Sequence, residues 1–339
     1  MGACRVARGR LRRWPPAGRA HARGMRHGYH AGTCGLDQDM TSDATRGKDG
    51  EAPAPLCLRV WGGLGNQMFQ YAAGHAAARR LGTRLLIDPL EMPLDHAAMG
   101  LDLFGIEPEI WRPEGGGLLG RLRSGSVKPK KRHRLWPGPV FMPDSFCHAD
   151  GYFEIGPGTY LAGYFQSERF FSDCEGEIRA LFDLSRVAPT IEPALLAAAN
   201  DPASVSVHVR RGDYMTNPNA TSVHGLLGRD HYDRAMALAE RLVPGATFVV
   251  FSDDMQAADD LTAHWPNRVL VRDQSREQDL FLMSRCAHHV TANSSFSWWG
   301  AWLGRNPERQ VIAPRQWFAR DELRKVYVDE LFPRGWILI

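Results

Sequence analysis

Four short stretches of this 339-residue chain combine residue types suited to an anionic, oxygen-rich ligand. The first is His208-Val209-Arg210-Arg211-Gly212-Asp213-Tyr214. Two adjacent arginines follow an apolar run, and a guanidinium is permanently charged and forked for bidentate contact with phosphate oxygens. A leaving diphosphate gains negative charge in its transition state, and a fixed arginine stabilises that charge without a metal. The plainer use is an Arg–Asp pair that locks the loop, with Asp213 as partner of either arginine. The second stretch, Phe251-Ser252-Asp253-Asp254, has three readings. Ser252 or Asp253 caps a helix beginning near Met255, or both carboxylates hold Mg²⁺ or Mn²⁺, or one of them accepts hydrogen bonds from a nucleobase or ribose. Adjacent strand residues face opposite ways, so shared chelation requires the loop to bend. The third, Asn293-Ser294-Ser295-Phe296-Ser297-Trp298-Trp299, sets small hydroxyls where a helix N-terminus offers free N–H groups to an anion. A simple N-cap at Asn293 or Ser294 is its alternative, and the tryptophans read as core. The fourth, Gly62-Gly63-Leu64-Gly65-Asn66-Gln67, is an imperfect dinucleotide fingerprint, because Met68 stands at its last glycine position. Its glycines let backbone approach a ligand, with Asn66 and Gln67 as polar tips for a sugar or phosphate.

The elements that must position these stretches follow from apolar periodicity. A strand over 57–61 leads through the glycine turn into a helix over 66–81, closed by Gly82, and a strand over 83–88. From residue 204 strands and helices alternate: strands over 204–209, 247–251, 268–271, 288–291 and 310–313, and helices over 230–243, 255–264, 276–286 and 294–303. That alternation predicts βαβ units with parallel sheets, whose ligands lie at the carboxyl ends of the strands. All four stretches fall at such ends.

Composition narrows the class. A hydrophobic content of 44% and a charged content of 23% suit a soluble globular protein, and no run reaches the length of a membrane span. Residues 1–39 carry a charge of +6 and leave the remainder at −3, so a nucleic-acid partner is disfavoured. Residues 1–54 read as a disordered basic leader, with Met25 and Met40 as alternative starts and no apolar segment of a secretory signal. The six cysteines form no C-x-x-C pair, which suits a reduced, cytoplasmic compartment and argues against zinc. Residues 112–140 read as irregular. The run 121–134 holds seven Lys/Arg and no acid, and is either a solvated loop or a surface for peripheral contact with membrane glycolipid.

Taken in order, the four stretches, with Gly62 to Ala72 for the first and Phe332-Pro333-Arg334-Gly335-Trp336-Ile337 at the end, resemble the bacterial α-1,2-fucosyltransferases of glycosyltransferase family 11. The resemblance spans residues 56–339. It implies an α/β, GT-B-like fold of two Rossmann-type domains with a cleft between them: an acceptor-side domain over 55–185 and a GDP-sugar domain over 186–339. It further implies GDP-fucose as donor and inverting transfer to the 2-hydroxyl of a terminal galactose, as in O-antigen biosynthesis. Metal independence is typical of the group, so no cofactor is expected. By that likeness Arg210 binds the donor β-phosphate with Arg211 in support, and His208 and Asp253 face guanine. Ser294, Ser295 and Phe296 line the diphosphate and base, and Asn66 approaches the donor from the first domain.

An inverting transfer needs a base within hydrogen-bond reach of the acceptor hydroxyl. Asp213 is the candidate by position, against a salt bridge to Arg211, with His224 and Asp230 in reserve. Acceptor recognition is expected within 90–160. Another linkage, another GDP-sugar, and a non-catalytic glycan- or nucleotide-binding protein are the competing readings.

Overall fold

The computed structural model describes residues 52–89, 100–113, 129–147, 149–211, 225–319 and 330–339. Its first sheet comprises β1 (Leu56–Arg59), β2 (Leu85–Asp88), β3 (Glu109–Ile110), β4 (Val140–Phe141) and β5 (Tyr160–Leu161), with α1 (Leu64–Leu81) crossing from β1 to β2. The strand order is β3-β2-β1-β5-β4, and all pairs are parallel. Two helices, α2 (Glu175–Leu181) and α3 (Pro193–Asn200), lead to the second sheet. There β6 (Ser204–Val209), α4 (Arg229–Leu242), β7 (Thr247–Ser252), α5 (Met255–Thr262), β8 (Arg268–Leu270), α6 (Arg276–Arg285), β9 (His288–Val290), α7 (Ser295–Trp302), β10 (Val311–Ala313) and β11 (Ile337–Leu338) follow one another. The order β11-β10-β9-β6-β7-β8 is again wholly parallel. The chain is therefore an α/β protein of two Rossmann-type sheets, the GT-B-like organisation expected from the motifs.

Agreement with periodicity is closest in the second sheet. Strand β6 occupies the predicted 204–209, with every residue buried. It is covered on one face by α4 and α5 and on the other by elements of the main core. The two-residue strands β3, β4 and β5 are too short for any alternation to show, and β4 falls in a stretch that reads as irregular.

Helix α1 is not amphipathic in the usual sense, because it is enclosed on several sides. A Cβ on Gly74 would lie 2.8 Å from the Leu58 side chain of β1, so the helix rests almost directly on the first sheet. At its other end a Cβ on Gly65 would lie 2.5 Å from the Ser295 carbonyl carbon and 2.6 Å from Phe296 N. Thus α1 and α7 touch backbone to backbone at their N-termini. Phe69 packs 4.4 Å from the Trp298 ring and 4.9 Å from that of Trp299, and the Trp299 indole donates to Gly65 O at 3.0 Å. Trp298 donates to Leu331 O at 2.8 Å, so both buried indole N–H groups are satisfied, as burial of a polar group requires. One continuous core runs from the inner face of the first sheet through α1 and α7 to the second. A second join lies where the Phe146 ring, beyond β4, meets Phe318, beyond β10, at 5.0 Å. Both joins use segments that follow carboxyl strand ends, so those edges of the two sheets approach each other.

The far face of the first sheet corrects one expectation. Arg132, from the basic run, is not a solvated charge. It stacks 5.2 Å over Trp111 and lies 3.6 Å from the fully buried Asp88 carboxylate, which accepts from Tyr160 Oη at 2.6 Å. Burial pushes the Asp88 carboxyl upward in pKa, against the pull of the Tyr160 hydrogen bond and of Arg132 and Arg59. The end of the run is thereby tethered to the sheet; residues 114–128 lie outside the described residues.

The join at Gly65 yields a testable contrast. Gly65→Ala places a methyl inside the Ser295–Phe296 backbone and is expected to cost about 1–3 kcal/mol, a drop of several degrees in Tm on thermal melting. Gly63→Ala, with nothing within 4 Å of its Cβ and a φ of −68°, should melt like the parent protein.

Candidate functional site

Arg210 and Arg211 leave the carboxyl end of β6. Val209 pairs with Ser252 of β7 and Val207 with Val290 of β9, so the arginines emerge between Asp253 on one side and Asn293-Ser294 on the other. Arg210 Nη1 donates to Asp253 Oδ2 at 2.7 Å, and the Arg211 amide donates to Asp253 Oδ1 at 2.8 Å. One carboxylate thus holds both arginines by different atoms. The Arg211 guanidinium turns to the Leu227 carbonyl at 2.9 Å, before α4. The Arg–Asp pair anticipated from the sequence exists, but its acid among the described residues is Asp253. Asp213, Tyr214 and His224 lie outside the described residues.

The Phe251-to-Asp254 stretch separates into three tasks. Ser252 Oγ donates to Val209 O at 2.7 Å and ties the end of β7 to that of β6. Asp253 holds the arginines, and Asp254, rather than Ser252 or Asp253, is the N-cap of α5, accepting from Ala257 N at 3.1 Å. Each carboxylate is engaged by a different protein partner.

Beside the arginines, α7 begins at Ser295 with Ser294 at its N-cap position, but no side chain caps it and no acid stands in its first turn. Helix α1, which meets it at Gly65, likewise has no side-chain cap and no acid in its first turn. Two uncompensated positive helix ends therefore converge. Ser294 is buried, Ser295 and Phe296 are half-buried, and the Asn293 amide reaches Gly225 O at 3.3 Å and Trp317 O at 3.5 Å. Of the polar tips expected on the glycine turn, Gln67 is buried and spent on backbone: it donates to Gly62 O and accepts from Gly100 N, both at 2.8 Å. Asn66 stays half-exposed and accepts from Gln166 Nε2 at 2.8 Å. His208 is 4% exposed, its ring 5.9 Å from Phe296, and its Nδ1 has no hydrogen-bond partner. Burial, with the neighbouring Arg210, lowers its pKa to about 4, so the imidazole is neutral.

A residue absent from the sequence reading adjoins this group. Ser252, Asp253, Val271, Gln274 and Asp279 line a cavity of about 280 Å³ past the carboxyl ends of β7 and β8. Cavities that enclose whole small molecules run to roughly 300–1,000 Å³, so this one suits a single ring system of a larger ligand. Asp279, on α6, accepts no hydrogen bond there, and burial pushes its pKa up to about 7. A capping box at Ser275–Gln278 starts α6 and disguises the next residue as ordinary first-turn acid. The usable signal was an acid on the buried side of a helix following a strand end. Asp230 is exposed and lines a cavity of about 700 Å³ with Leu227, His231, Arg234 and Trp317, beyond β10 and β11. The described site therefore brings together His208, Arg210, Arg211, Asp253, Ser294, Ser295 and Phe296, with Asn66 next to Gly65, while Asp230 shares its cavity with Leu227 and Trp317, the carbonyl partners of Arg211 and Asn293.

The chain matches the family model "Glycosyl transferase family 11" over residues 146–339. It is 31% identical over 305 residues to the O-antigen biosynthesis glycosyltransferase WbnK of Escherichia coli, covering 79% of this chain and 96% of that one. It is 30% identical over 308 residues to an alpha-1,2-colitosyltransferase of Escherichia coli, covering 84% and 98%. Among solved structures, the fucosyltransferase NodZ from Bradyrhizobium aligns at 15% identity and a TM-score of 0.46 over 73% of this chain and 92% of its own, too loosely to carry an argument. On the family model and these two relatives, the chain belongs to glycosyl transferase family 11 and is a glycosyltransferase.

Proposed function

We propose that this glycosyltransferase moves L-fucose from GDP-fucose to the 2-hydroxyl of a terminal galactose, with inversion, in the assembly of a surface glycan such as an O-antigen. The observation that carries the donor side is the convergence of two uncapped, acid-free helix N-termini, α1 and α7, next to Arg210. Open N–H groups and helix dipoles favour an anion there, and the guanidinium adds the charge that a departing diphosphate requires. Similarity to mammalian proteins named galactoside alpha-(1,2)-fucosyltransferase, 27% identical for the rat protein, supports the linkage and acceptor.

The acceptor hydroxyl attacks C1 of the fucosyl group, the bond from C1 to the β-phosphate oxygen breaks, and its electron pair leaves with GDP. The acceptor proton passes to a base, for which we propose Asp213. Arg210 stabilises the departing β-phosphate, with Asp253 holding it in place, Arg211 fixing the loop, and Ser294, Ser295 and Phe296 presenting the end of α7. Asn66 contributes from the opposite sheet. With the carboxylates of Asp253 and Asp254 engaged by protein groups, transfer proceeds without a metal. Guanine offers adjacent N–H donors on one edge, and the ionised Asp279 at the 280 Å³ cavity matches them.

A colitosyl donor is the second reading, since one relative at 30% identity is named a colitosyltransferase. Parallel assays with GDP-fucose and GDP-colitose decide between them.

With GDP-fucose and lactose the purified protein is expected to release GDP and form an α-1,2-linked product at a rate unchanged by EDTA. Arg210→Ala should lower that rate by about 10²–10³-fold with no change in Tm; near-normal turnover would remove the arginine from the chemistry.

Asp279 gives a pH dependence of known sign. Its folded pKa of about 7 lies above the ordinary aspartate value of 3.8, so its ionisation opposes folding increasingly as pH rises from about 4 to 7. The ligand-free protein carries that penalty in full above pH 7, and Asp279→Asn should therefore melt higher than the parent at pH 8. GDP needs the ionised form, so its affinity should fall as pH drops from 8 to 6. That slope should be flat, and affinity low throughout, in Asp279→Asn. Asp253, Arg272 and Asp273 face the same cavity, and a slope that survives in Asp279→Asn would remove Asp279 from the pH dependence.

A further inference from the structure

The proposed donor site accounts for the glycine turn and the arginines, but not for a group of aromatic rings that follows the carboxyl ends of β1, β4 and β5. Trp61, two residues beyond β1, packs 5.0 Å from Tyr164, three residues beyond β5. Tyr164 stacks on Phe146 at 4.8 Å with 21° between the rings, and Phe146 meets Phe318 at 5.0 Å. Phe318 is buried, whereas Trp61, Tyr164 and Phe146 are only half-buried. Phe146 packs on the main core and the Arg59 guanidinium lies 5.0 Å over the Trp61 ring, so these rings are engaged by protein on one side and remain partly in contact with water.

The backbone supports these rings at some cost. Phe165, between Tyr164 and Gln166, has a φ of 52°, a left-handed conformation that a residue with a Cβ adopts only under constraint. The constraint is visible: Phe165 is buried, Gln166 N donates to Phe146 O at 2.7 Å, and Gly163 lets Pro143 and the Phe165 ring approach to within 3 Å of where its Cβ would be. Next to Tyr164 the Gln166 side chain is 4% exposed; its Nε2 donates to Asn66 Oδ1, and its Oε1 has no partner. A buried amide oxygen without a donor is costly and marks a place for an incoming hydroxyl.

Position relates these rings to the donor site at both ends. Trp61 immediately precedes the Gly62–Gly65 turn that abuts Ser295, and its amide is held by Gln70 Oε1 at 3.0 Å. Phe318 follows Trp317, whose carbonyl meets the amide of Asn293, the residue before Ser294. We infer that Trp61, Tyr164 and Phe146 form the acceptor platform, against which the apolar face of a hexopyranose packs while its hydroxyls reach the Gln166 and Asn66 amides. A pyranose has one face of C–H groups and a rim of hydroxyls, and aromatic rings bordered by the Gln166 amide, whose Oε1 lacks a donor, match both. The assignment rests on the proposed glycosyl transfer for its choice of a sugar occupant. It places the determinants of acceptor choice on the tips of the first sheet.

The test separates the two claims. Methyl β-galactoside and a panel of galactose-terminated oligosaccharides are titrated against the parent protein, Trp61→Ala, Tyr164→Ala and Trp61→Phe, with GDP titrated in parallel. Glycan affinity is expected to fall at least about tenfold in both alanine variants and to recover largely in Trp61→Phe, while GDP affinity stays within about twofold. Alanine variants that bind both the glycan and GDP like the parent would overturn the platform. So would a parent protein that binds none of the panel. A protein that binds galactosides through Trp61 and Tyr164 yet releases no GDP from GDP-fucose would keep the platform and sink the donor assignment. If Trp61→Ala weakens GDP through the neighbouring turn, Tyr164→Ala, on a different segment, decides.

Discussion

The contact of α1 with α7 at Gly65 is the constraint on which the rest depends. No side chain fits between these backbones: the position a Cβ would take is 2.5 Å from Ser295. The approach does two jobs. It lets Phe69 and the paired tryptophans of α7 interlock into one core between the sheets, and it brings two helix N-termini together. Converging positive ends repel one another and are unfavourable in an empty protein, so the large apolar area buried behind them must hold them in place.

The same logic governs the charged side chains. Asp253 keeps Arg210 from collapsing elsewhere and uses its second oxygen on the Arg211 amide, so the loop after β6 is held by one residue at the end of β7. Asp279 is a carboxylate kept in a small cavity without a partner, with its pKa pushed up to about 7 by burial. Such groups weaken the ligand-free protein and are retained where a ligand completes them. On the other sheet, Gln166 Oε1 and the left-handed Phe165 have the same character, beside rings that remain half in water. In each case a local defect lies beyond the carboxyl end of a strand, on the edges where the two sheets approach.

Much of the second sheet was legible because, β11 apart, its strands are three to six residues long and its helices eight to fourteen, enough for period-2 and period-3.6 patterns to separate. The first sheet was mostly hidden: β3, β4 and β5 have two residues each, and no alternation can appear over that length. The position of the two arginines at the carboxyl end of a buried strand was legible from the apolar run before them. Their partner was not, because Asp253 stands 43 residues beyond Arg210 in the chain and meets it only through the pairing of β6 with β7. One charge of the basic run was hidden for a similar reason, while Lys131 and Arg134 are exposed as expected. Charge density in sequence suggests solvent, yet Arg132 folds inward onto Trp111 and Asp88, which belong to other segments.

By itself, then, the sequence determined the alternation of strands and helices, the turn at Gly62–Gly65, and the residue types gathered at the strand ends, because each depends on neighbours within a few positions. Only the tertiary structure decided which charges pair, that Gln67 is spent on backbone while Asn66 is not, that Asp279 faces a cavity, and that Trp61, Tyr164 and Phe146 stand together. These depend on side chains and backbone brought together from different segments of the chain, where strand register and packing density, not local propensity, set the distances.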